Sequence, residues 1–100
     1  AAIMALGGSG VISVVSNVLP EQTQSMALAA LDGDFDTAAD LQIRLLPLIE
    51  ALFSEVNPIP VKTAMNLMGL QAGSMRLPLC EMTEEHTAIL RASMEEVGLL

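Results

Sequence analysis

The chain has 100 residues, of which 52% are hydrophobic, and its formal net charge at pH 7 is −8. Its four basic residues are scattered along the sequence, which argues against a nucleic-acid-binding protein, because contact with phosphates requires clustered Lys and Arg. A chain this small and this hydrophobic either forms an unusually large core or leaves apolar surface that a partner covers. We favour the second hypothesis.

Residues 1–19 contain no charged side chain, and a segment of this length could cross a bilayer as a helix. Three glycines interrupt it, at positions 7, 8 and 10, and each glycine costs a helix about 1 kcal/mol. We therefore predict no membrane segment here. Instead, we expect the end of a helix at residues 1–6, stopped by Gly7 and Gly8, followed by a buried strand.

The run VISVV at residues 11–15 is rich in β-branched side chains and has apolar residues at adjacent positions. This pattern is typical of a strand that is covered on both faces, as in a parallel sheet. The rest of the sequence contains no second convincing strand, so this strand would have no backbone partner within the chain. The pattern therefore predicts a fragment of a larger α/β enzyme, whose other strands lie outside these residues.

The remaining sequence is predicted to be helical. Pro20 suits the first turn of one helix, and Asp34 or Asp36 can cap the next, which places acidic side chains at the positive end of its dipole. Asn57 can cap a third helix that has two prolines in its first turn, and Thr83 can cap the last one. The covered chain is therefore expected to be mostly α-helical.

Two patterns resemble ligand sites only in part. The GGSG run precedes a predicted strand, whereas phosphate-binding glycines follow a strand and open a helix. Asp32, Asp34 and Asp36 have the spacing of the first ligands of a calcium loop. However, Thr37 stands where that loop needs glycine, and Ile43 stands where it needs glutamate. We therefore expect a plain turn in the first case and no calcium site in the second.

Three further side chains could take part in chemistry. Lys62, the only lysine, lies in the first turn of a predicted helix, so a structural or surface role is favoured over that of a Schiff-base amine. Cys80 is expected to be a buried, unreactive thiol, and a single cysteine fits a reducing cytoplasm. His86 has no second His or Cys at metal spacing and is expected to be a partly buried packing residue. We predict no catalytic residue and no metal site in this chain.

Five motifs, read in order, carry a resemblance to a known family. They are LGGSGVISV at residues 6–14, SNV at 16–18, LLPL at 45–48, EVNPIPVK at 55–62 and RLPL at 76–79. Together they resemble the C-terminal third of the 4-hydroxy-tetrahydrodipicolinate synthase family, formerly called dihydrodipicolinate synthase, one of the pyruvate-dependent class I aldolases. The resemblance covers all 100 residues and includes the Gly-Leu-Leu end expected for the family.

The resemblance implies an α/β fold, a (β/α)8 TIM barrel with an α-helical C-terminal appendage, of which this chain would be the C-terminal part. Residues 1–32 would be the end of barrel helix seven, strand eight and helix eight, and residues 33–100 would be the appendage. Active sites of such barrels lie at the carboxyl ends of the strands, so residues 12–17 would face the chemistry.

The family condenses pyruvate with aspartate semialdehyde in lysine and diaminopimelate biosynthesis. A lysine on strand six forms a Schiff base with pyruvate and a tyrosine on strand five relays protons, so both would lie upstream of this chain, which is expected to be inactive alone. The one site residue that carries over is Ile12, whose main-chain carbonyl would point toward bound pyruvate. The resemblance also implies no cofactor and a cytoplasmic homotetramer built as a dimer of dimers, with Leu6 near the contact that joins dimers.

Two alternatives stay open at this point. One is a sibling pyruvate-dependent aldolase of the N-acetylneuraminate lyase group, against which the NPIPVK and RLPL motifs argue. The other belongs to a different class, a stand-alone acidic helical interaction module with exposed methionines.

Overall fold

The computed structural model describes residues 1–100, and the chain is mostly α-helical, as the sequence predicts. It contains five α-helices, one 3-10 turn and no β-strand. The helices are α1 (Ala2–Ala5), α2 (Pro20–Leu31), α3 (Phe35–Leu52), α4 (Ile59–Leu67) and α5 (Glu84–Glu96), and the 3-10 turn spans Val15–Asn17. None of these helices has the combination of length and apolar composition that a bilayer crossing requires.

The strand predicted at residues 11–15 is not formed, so that prediction is wrong for this chain. Residues 10–13 have no regular secondary structure, Val14 has helical backbone angles (φ −68°, ψ −43°), and the 3-10 turn begins at Val15. The physical reason is that a strand is held by pairing with a neighbour, and the chain contains no second strand. β-branched side chains favour an extended backbone, but this preference does not replace the missing pairing.

The N-terminal caps agree with the sequence at two helices and differ at a third. Thr83 caps α5, where its hydroxyl accepts a hydrogen bond from the His86 backbone N–H at 3.3 Å. Asp34 caps α3, where its carboxylate accepts the backbone N–H of Thr37 at 3.1 Å. Asn57 does not cap α4, because the cap position is occupied by the proline that follows it and no side chain bonds there.

Helix α4 is terminated by Gly69. Gly69 has φ +81°, a left-handed conformation that costs a residue with a Cβ about 1–2 kcal/mol. Its N–H donates to the carbonyl of Asn66 at 3.0 Å, and the N–H of Leu70 reaches back to the carbonyl of Met65 at 2.9 Å. This pair of bonds is a Schellman motif, which satisfies carbonyls that the helix end would otherwise leave unpaired.

The chain forms two compact units, Ala1–Leu46 and Pro47–Leu100. In the first unit, α2 packs against the 3-10 turn and against α1. Val15, Val18 and Ala30 are buried there. The domain boundary predicted between residues 32 and 33 divides a barrel from its appendage in the whole enzyme. The two compact units are a division of this chain alone and do not test that boundary, which stays a prediction.

In the second unit, α4 packs against α5. The buried residues of α4 are Ile59, Pro60, Val61 and Ala64, and those of α5 are Leu90, Ser93 and Met94. In α5, Ser93 and Met94 follow Leu90 by three and four positions. In α4, Ala64 follows Val61 and Pro60 by three and four positions, and this spacing places each set on one helix face. The polar Ser93 is tolerated there because its hydroxyl donates to the Ile89 carbonyl at 3.1 Å.

Candidate functional site

Ile12, the one site residue that the sequence predicts, lies in the irregular segment between α1 and the 3-10 turn. Its side chain is fully exposed, with a relative accessibility of 106%. Its carbonyl oxygen accepts no hydrogen bond from within the chain. An exposed carbonyl of this kind is a free acceptor, which can be solvated or can face a ligand.

The turn that follows Ile12 is held by its own side chains. The Ser16 Oγ donates to the Ser13 carbonyl at 2.7 Å, and the Ser13 Oγ accepts the Ser16 backbone N–H at 3.2 Å. The Asn17 Nδ2 donates to the Val14 carbonyl at 3.0 Å. Ser and Asn side chains that bond to nearby backbone stabilise turns. The path of the chain is therefore defined immediately after Ile12, while Ile12 itself stays unpaired.

A second polar cluster lies at the start of α5, and sequence reasoning missed its central residue, Glu55. One carboxylate oxygen of Glu55 accepts the Thr83 backbone N–H at 3.1 Å and lies 3.3 Å from Nδ1 of His86. The Glu55 side chain is 17% exposed and the His86 side chain 37%. Nδ1 has no hydrogen-bond partner of good geometry, so the contact with the carboxylate is one of proximity rather than an aligned bond.

The Glu55 cluster joins the segment before α4 to the first turn of α5, which is a structural role. His86 is half-buried, in agreement with its interpretation as a packing residue. Two sequence signals involve Glu55: it opens the EVNPIPVK motif, and it is a lone acid in an otherwise apolar and proline-rich stretch. Neither signal specifies a partner that lies 28 residues away.

Lys62 also has a structural partner. Its Nζ donates to the carbonyl oxygen of Ser74. One turn further along α4, the Asn66 Nδ2 donates to the carbonyl of Gly73 at 2.9 Å. Both donors project from the same side of α4, because residues four apart lie on one helix face. The only lysine of the chain therefore fastens a loop, which supports its structural interpretation over a role as a Schiff-base amine.

The ligand-like patterns do not assemble into a site. No three or more His, Cys, Asp or Glu side chains lie together in a way that could hold a metal ion. Asp34 acts as a helix cap instead: its carboxylate also accepts the Thr37 hydroxyl at 2.7 Å. The hydrogen bonds from the Thr37 side chain and then from its backbone hold the pKa of Asp34 below the ordinary value of 3.8. The GGSG run follows the end of α1 rather than opening a helix.

Cys80 is exposed, so the expectation of a buried thiol is wrong. The expectation rested on the absence of a basic neighbour in the sequence that would activate the thiol. Cys80 lies between α4 and α5 in a stretch without regular structure, and its neighbour Glu81 is exposed as well. No helix face is available there to bury the side chain.

The chain is similar to one family of enzymes over nearly its whole length. The model of the dihydrodipicolinate synthetase family matches residues 1–97. The 4-hydroxy-tetrahydrodipicolinate synthase of Methanocaldococcus jannaschii is 54% identical over 98 residues, which are 98% of this chain and 34% of that protein. A crystal structure of a dihydrodipicolinate synthase, also 54% identical, superposes with a TM-score of 0.97 over 99% of this chain and 34% of its own.

A more distant relative is structurally almost as close. The chloride-inhibited dihydrodipicolinate synthase of Acinetobacter baumannii, in complex with pyruvate, is 35% identical and superposes with a TM-score of 0.94. The match covers 99% of this chain and 34% of that one. The chain thus spans about a third of the length of the relatives that it matches.

Proposed function

Because the chain belongs to the dihydrodipicolinate synthetase family, we propose that it is part of a 4-hydroxy-tetrahydrodipicolinate synthase, a lyase that condenses pyruvate with aspartate semialdehyde through a lysine Schiff base. The observation that carries this proposal is the agreement of sequence and structure over at least 98% of the chain with enzymes of that name. The same names favour this activity over that of the sibling N-acetylneuraminate lyases.

The activity needs residues beyond these 100. The chain has no tyrosine, and its one lysine is bonded to a loop carbonyl, so it offers neither a free amine nor a phenol for the reaction. We place the chain at the C-terminal third of the enzyme. Residues 1–32 would supply the last strand and helix of the (β/α)8 barrel, and residues 33–100 the helical appendage. The unpaired backbone of residues 10–12 supports this assignment, since such a segment can pair only with strands from elsewhere.

Ile12 would contribute its main-chain carbonyl to the pyruvate site. Support comes from its position next to a turn with defined hydrogen bonds and from its free carbonyl oxygen. A carbonyl oxygen is the negative end of a dipole, so beside the substrate it would favour a cationic imine over the neutral amine. This contribution depends on backbone alone, which is why the identity of the side chain does not reveal it.

The proposed assembly is a cytoplasmic homotetramer, built as a dimer of dimers. Leu6 would lie at the contact that joins the dimers. Its side chain is 91% exposed in the chain, and a large apolar side chain in that condition is typical of a contact surface. The exposed Cys80, which is unpaired, fits a reducing compartment.

The proposal is tested by trapping the Schiff base on the full-length protein. Pyruvate followed by borohydride should add one lactyl-sized mass at a single lysine outside these 100 residues, because reduction makes the imine bond permanent. Peptide mass spectrometry locates the adduct. Activity with aspartate semialdehyde should require the same lysine.

A Lys62→Arg variant is the matched control. Arginine keeps a donor for the Ser74 carbonyl but forms no imine, so the adduct and the activity should both persist. An adduct on Lys62 itself, or none on any lysine, would contradict the proposed function.

A further inference from the structure

Ser13, the residue after Ile12, is held by two hydrogen bonds to the same neighbour. Its Oγ accepts the Ser16 backbone N–H at 3.2 Å, and its carbonyl accepts the Ser16 Oγ at 2.7 Å. Both serines are half-buried, which strengthens such bonds relative to bulk water. The turn already has backbone bonds of its own, such as that from the Asn17 N–H to the Val14 carbonyl at 3.1 Å. The two serine bonds therefore restrain Ser13 beyond what the turn requires.

The turn to which Ser13 is tied is itself anchored in the first unit. Val15, Val18 and Leu19 are all buried, and α2 packs against the 3-10 turn. Side chains in close-packed surroundings keep their positions, because there is little free volume into which they could move. Ser13 is therefore bonded to a fixed part of the molecule.

The position of Ser13 restrains the direction of the Ile12 carbonyl. The carbonyl group of Ile12 and the backbone nitrogen of Ser13 belong to one planar peptide unit. Once the Ser13 Cα is fixed, that plane turns mainly about the Ser13 N–Cα bond, and the side chain of Ser13 limits this rotation. Ile12 itself supplies no restraint, since its side chain is fully exposed and its carbonyl accepts no hydrogen bond.

We propose that Ser13 is a positioning residue for the reaction, because its two bonds to Ser16 set the direction of the Ile12 carbonyl, the proposed contact with pyruvate. This inference rests on the proposed function, since it requires a pyruvate site at Ile12. A dipole stabilises a developing charge only while it keeps its direction. A misplacement of about 1 Å can reduce a rate by up to about 100-fold. Ser13 acts through the Ile12 carbonyl and does not itself touch the substrate.

Steady-state kinetics of the full-length protein test this role. Ser13→Ala should lower kcat/KM for pyruvate roughly three- to tenfold, as expected for the loss of a hydrogen bond. The ratio for aspartate semialdehyde should stay unchanged, because that substrate reacts after the imine has formed. Ser13→Thr keeps the hydroxyl and should retain the wild-type ratio for pyruvate within about twofold. An unchanged ratio for pyruvate in Ser13→Ala overturns the proposal. An equal loss for both substrates indicates only less folded enzyme and overturns it too.

Two further variants complete the comparison. Thr23→Val is the matched control, since it removes a hydroxyl that donates to the Leu19 carbonyl at 2.8 Å in the same unit and keeps the side-chain shape. Both ratios should be unchanged in it, and a loss like that of Ser13→Ala would contradict a specific role for Ser13. Ser16→Ala removes only one of the two bonds and should lower the ratio for pyruvate by less. If Ser13→Ala does not fold, Ser16→Ala decides, and an undiminished ratio overturns the proposal.

Borohydride trapping separates this inference from the proposed function. The initial rate of adduct formation with pyruvate should fall in Ser13→Ala by the same factor as kcat/KM for pyruvate. A wild-type adduct together with an undiminished trapping rate in Ser13→Ala leaves the function intact and removes the positioning role. The absence of any adduct in the wild-type protein removes the proposed function, and the positioning role with it.

Discussion

Residues 2–12 and the pair α4 and α5 both carry large apolar side chains, yet only the second region buries several of them completely. Helix α1 has no buried residue, and Ile12 is fully exposed. Leu90 and Met94 of α5, in contrast, are completely buried. The difference teaches that apolar composition measures how much burial a segment needs, whereas the elements that lie beside it decide whether it is buried.

The 3-10 turn and the second unit differ in the range of their polar contacts. Around the 3-10 turn, Ser13 bonds only to Ser16, three residues away. In the second unit, Glu55 reaches Thr83 across 28 residues, and Lys62 reaches Ser74 across 12. Local bonds define a turn, but only the longer ones connect one element to another. We therefore expect these contacts of the second unit to be more sensitive to substitution than the 3-10 turn.

The largest effect is expected at Leu90. Leu90→Ala should lower the free energy of unfolding by about 2–5 kcal/mol, because it leaves a cavity in a fully buried site. The neighbouring Ile89→Ala is the matched control, and since Ile89 is half exposed, its effect should be about 1 kcal/mol or less. Denaturant unfolding measures both, and equal losses would break the contrast between buried and exposed apolar residues.

Substitutions at Gly69 and Gly10 compare how strongly the backbone is constrained in the two regions. Gly69→Ala forces a Cβ into a left-handed conformation (φ +81°) and should cost about 1–2 kcal/mol. Gly10, in the irregular segment, has open space around it and no positive φ, so Gly10→Ala should change stability by about 0.5 kcal/mol or less. Thermal unfolding of the two variants decides this. A similar cost at both glycines would mean that the irregular segment is as constrained as the end of α4.

Substitution of Thr83 tests the cap of α5, which Glu55 supports by accepting the Thr83 backbone N–H. Thr83→Ala should cost about 1 kcal/mol, because the His86 N–H loses its acceptor. Thr87→Ala is the control, since that hydroxyl only donates back to the Thr83 carbonyl within the helix. Thr83→Ser should retain most of the stability. If Ala and Ser variants unfold alike, the hydroxyl does not stabilise the start of α5.

The smallest effect is expected at Asp34, the corresponding cap in the first unit. Hydrogen bonds from Thr37 lower the pKa of Asp34 below 3.8 in the folded state, so the ionised form favours folding. This contribution is present above the ordinary pKa of an aspartate and is lost as the pH falls through the lowered folded value. Thr37→Val should move the pKa back toward 3.8, as measured by NMR titration of the Asp34 carboxyl carbon. An unchanged titration would show that the hydroxyl contact is not formed in solution.

Features that depend on neighbours in sequence could be predicted well. The caps at Asp34 and Thr83 and the stop at Gly69 follow from side chains or backbone angles within four residues of each helix end. The family motifs are also local, and the family match covers residues 1–97. Family membership and most of the helical architecture therefore follow from the sequence.

Features that depend on which segments meet could not be predicted. The β-branched run at residues 11–15 indicates a strand, but strand formation requires a partner that the chain does not contain. The partners of Glu55 and Lys62 and the exposure of Cys80 are likewise absent from any local pattern.

The sequence by itself determined the family, the helices and the local caps and stops. Only the tertiary structure decided which apolar side chains are buried and which polar ones tie the second unit together, because burial and long-range hydrogen bonds are properties of pairs of elements and not of one.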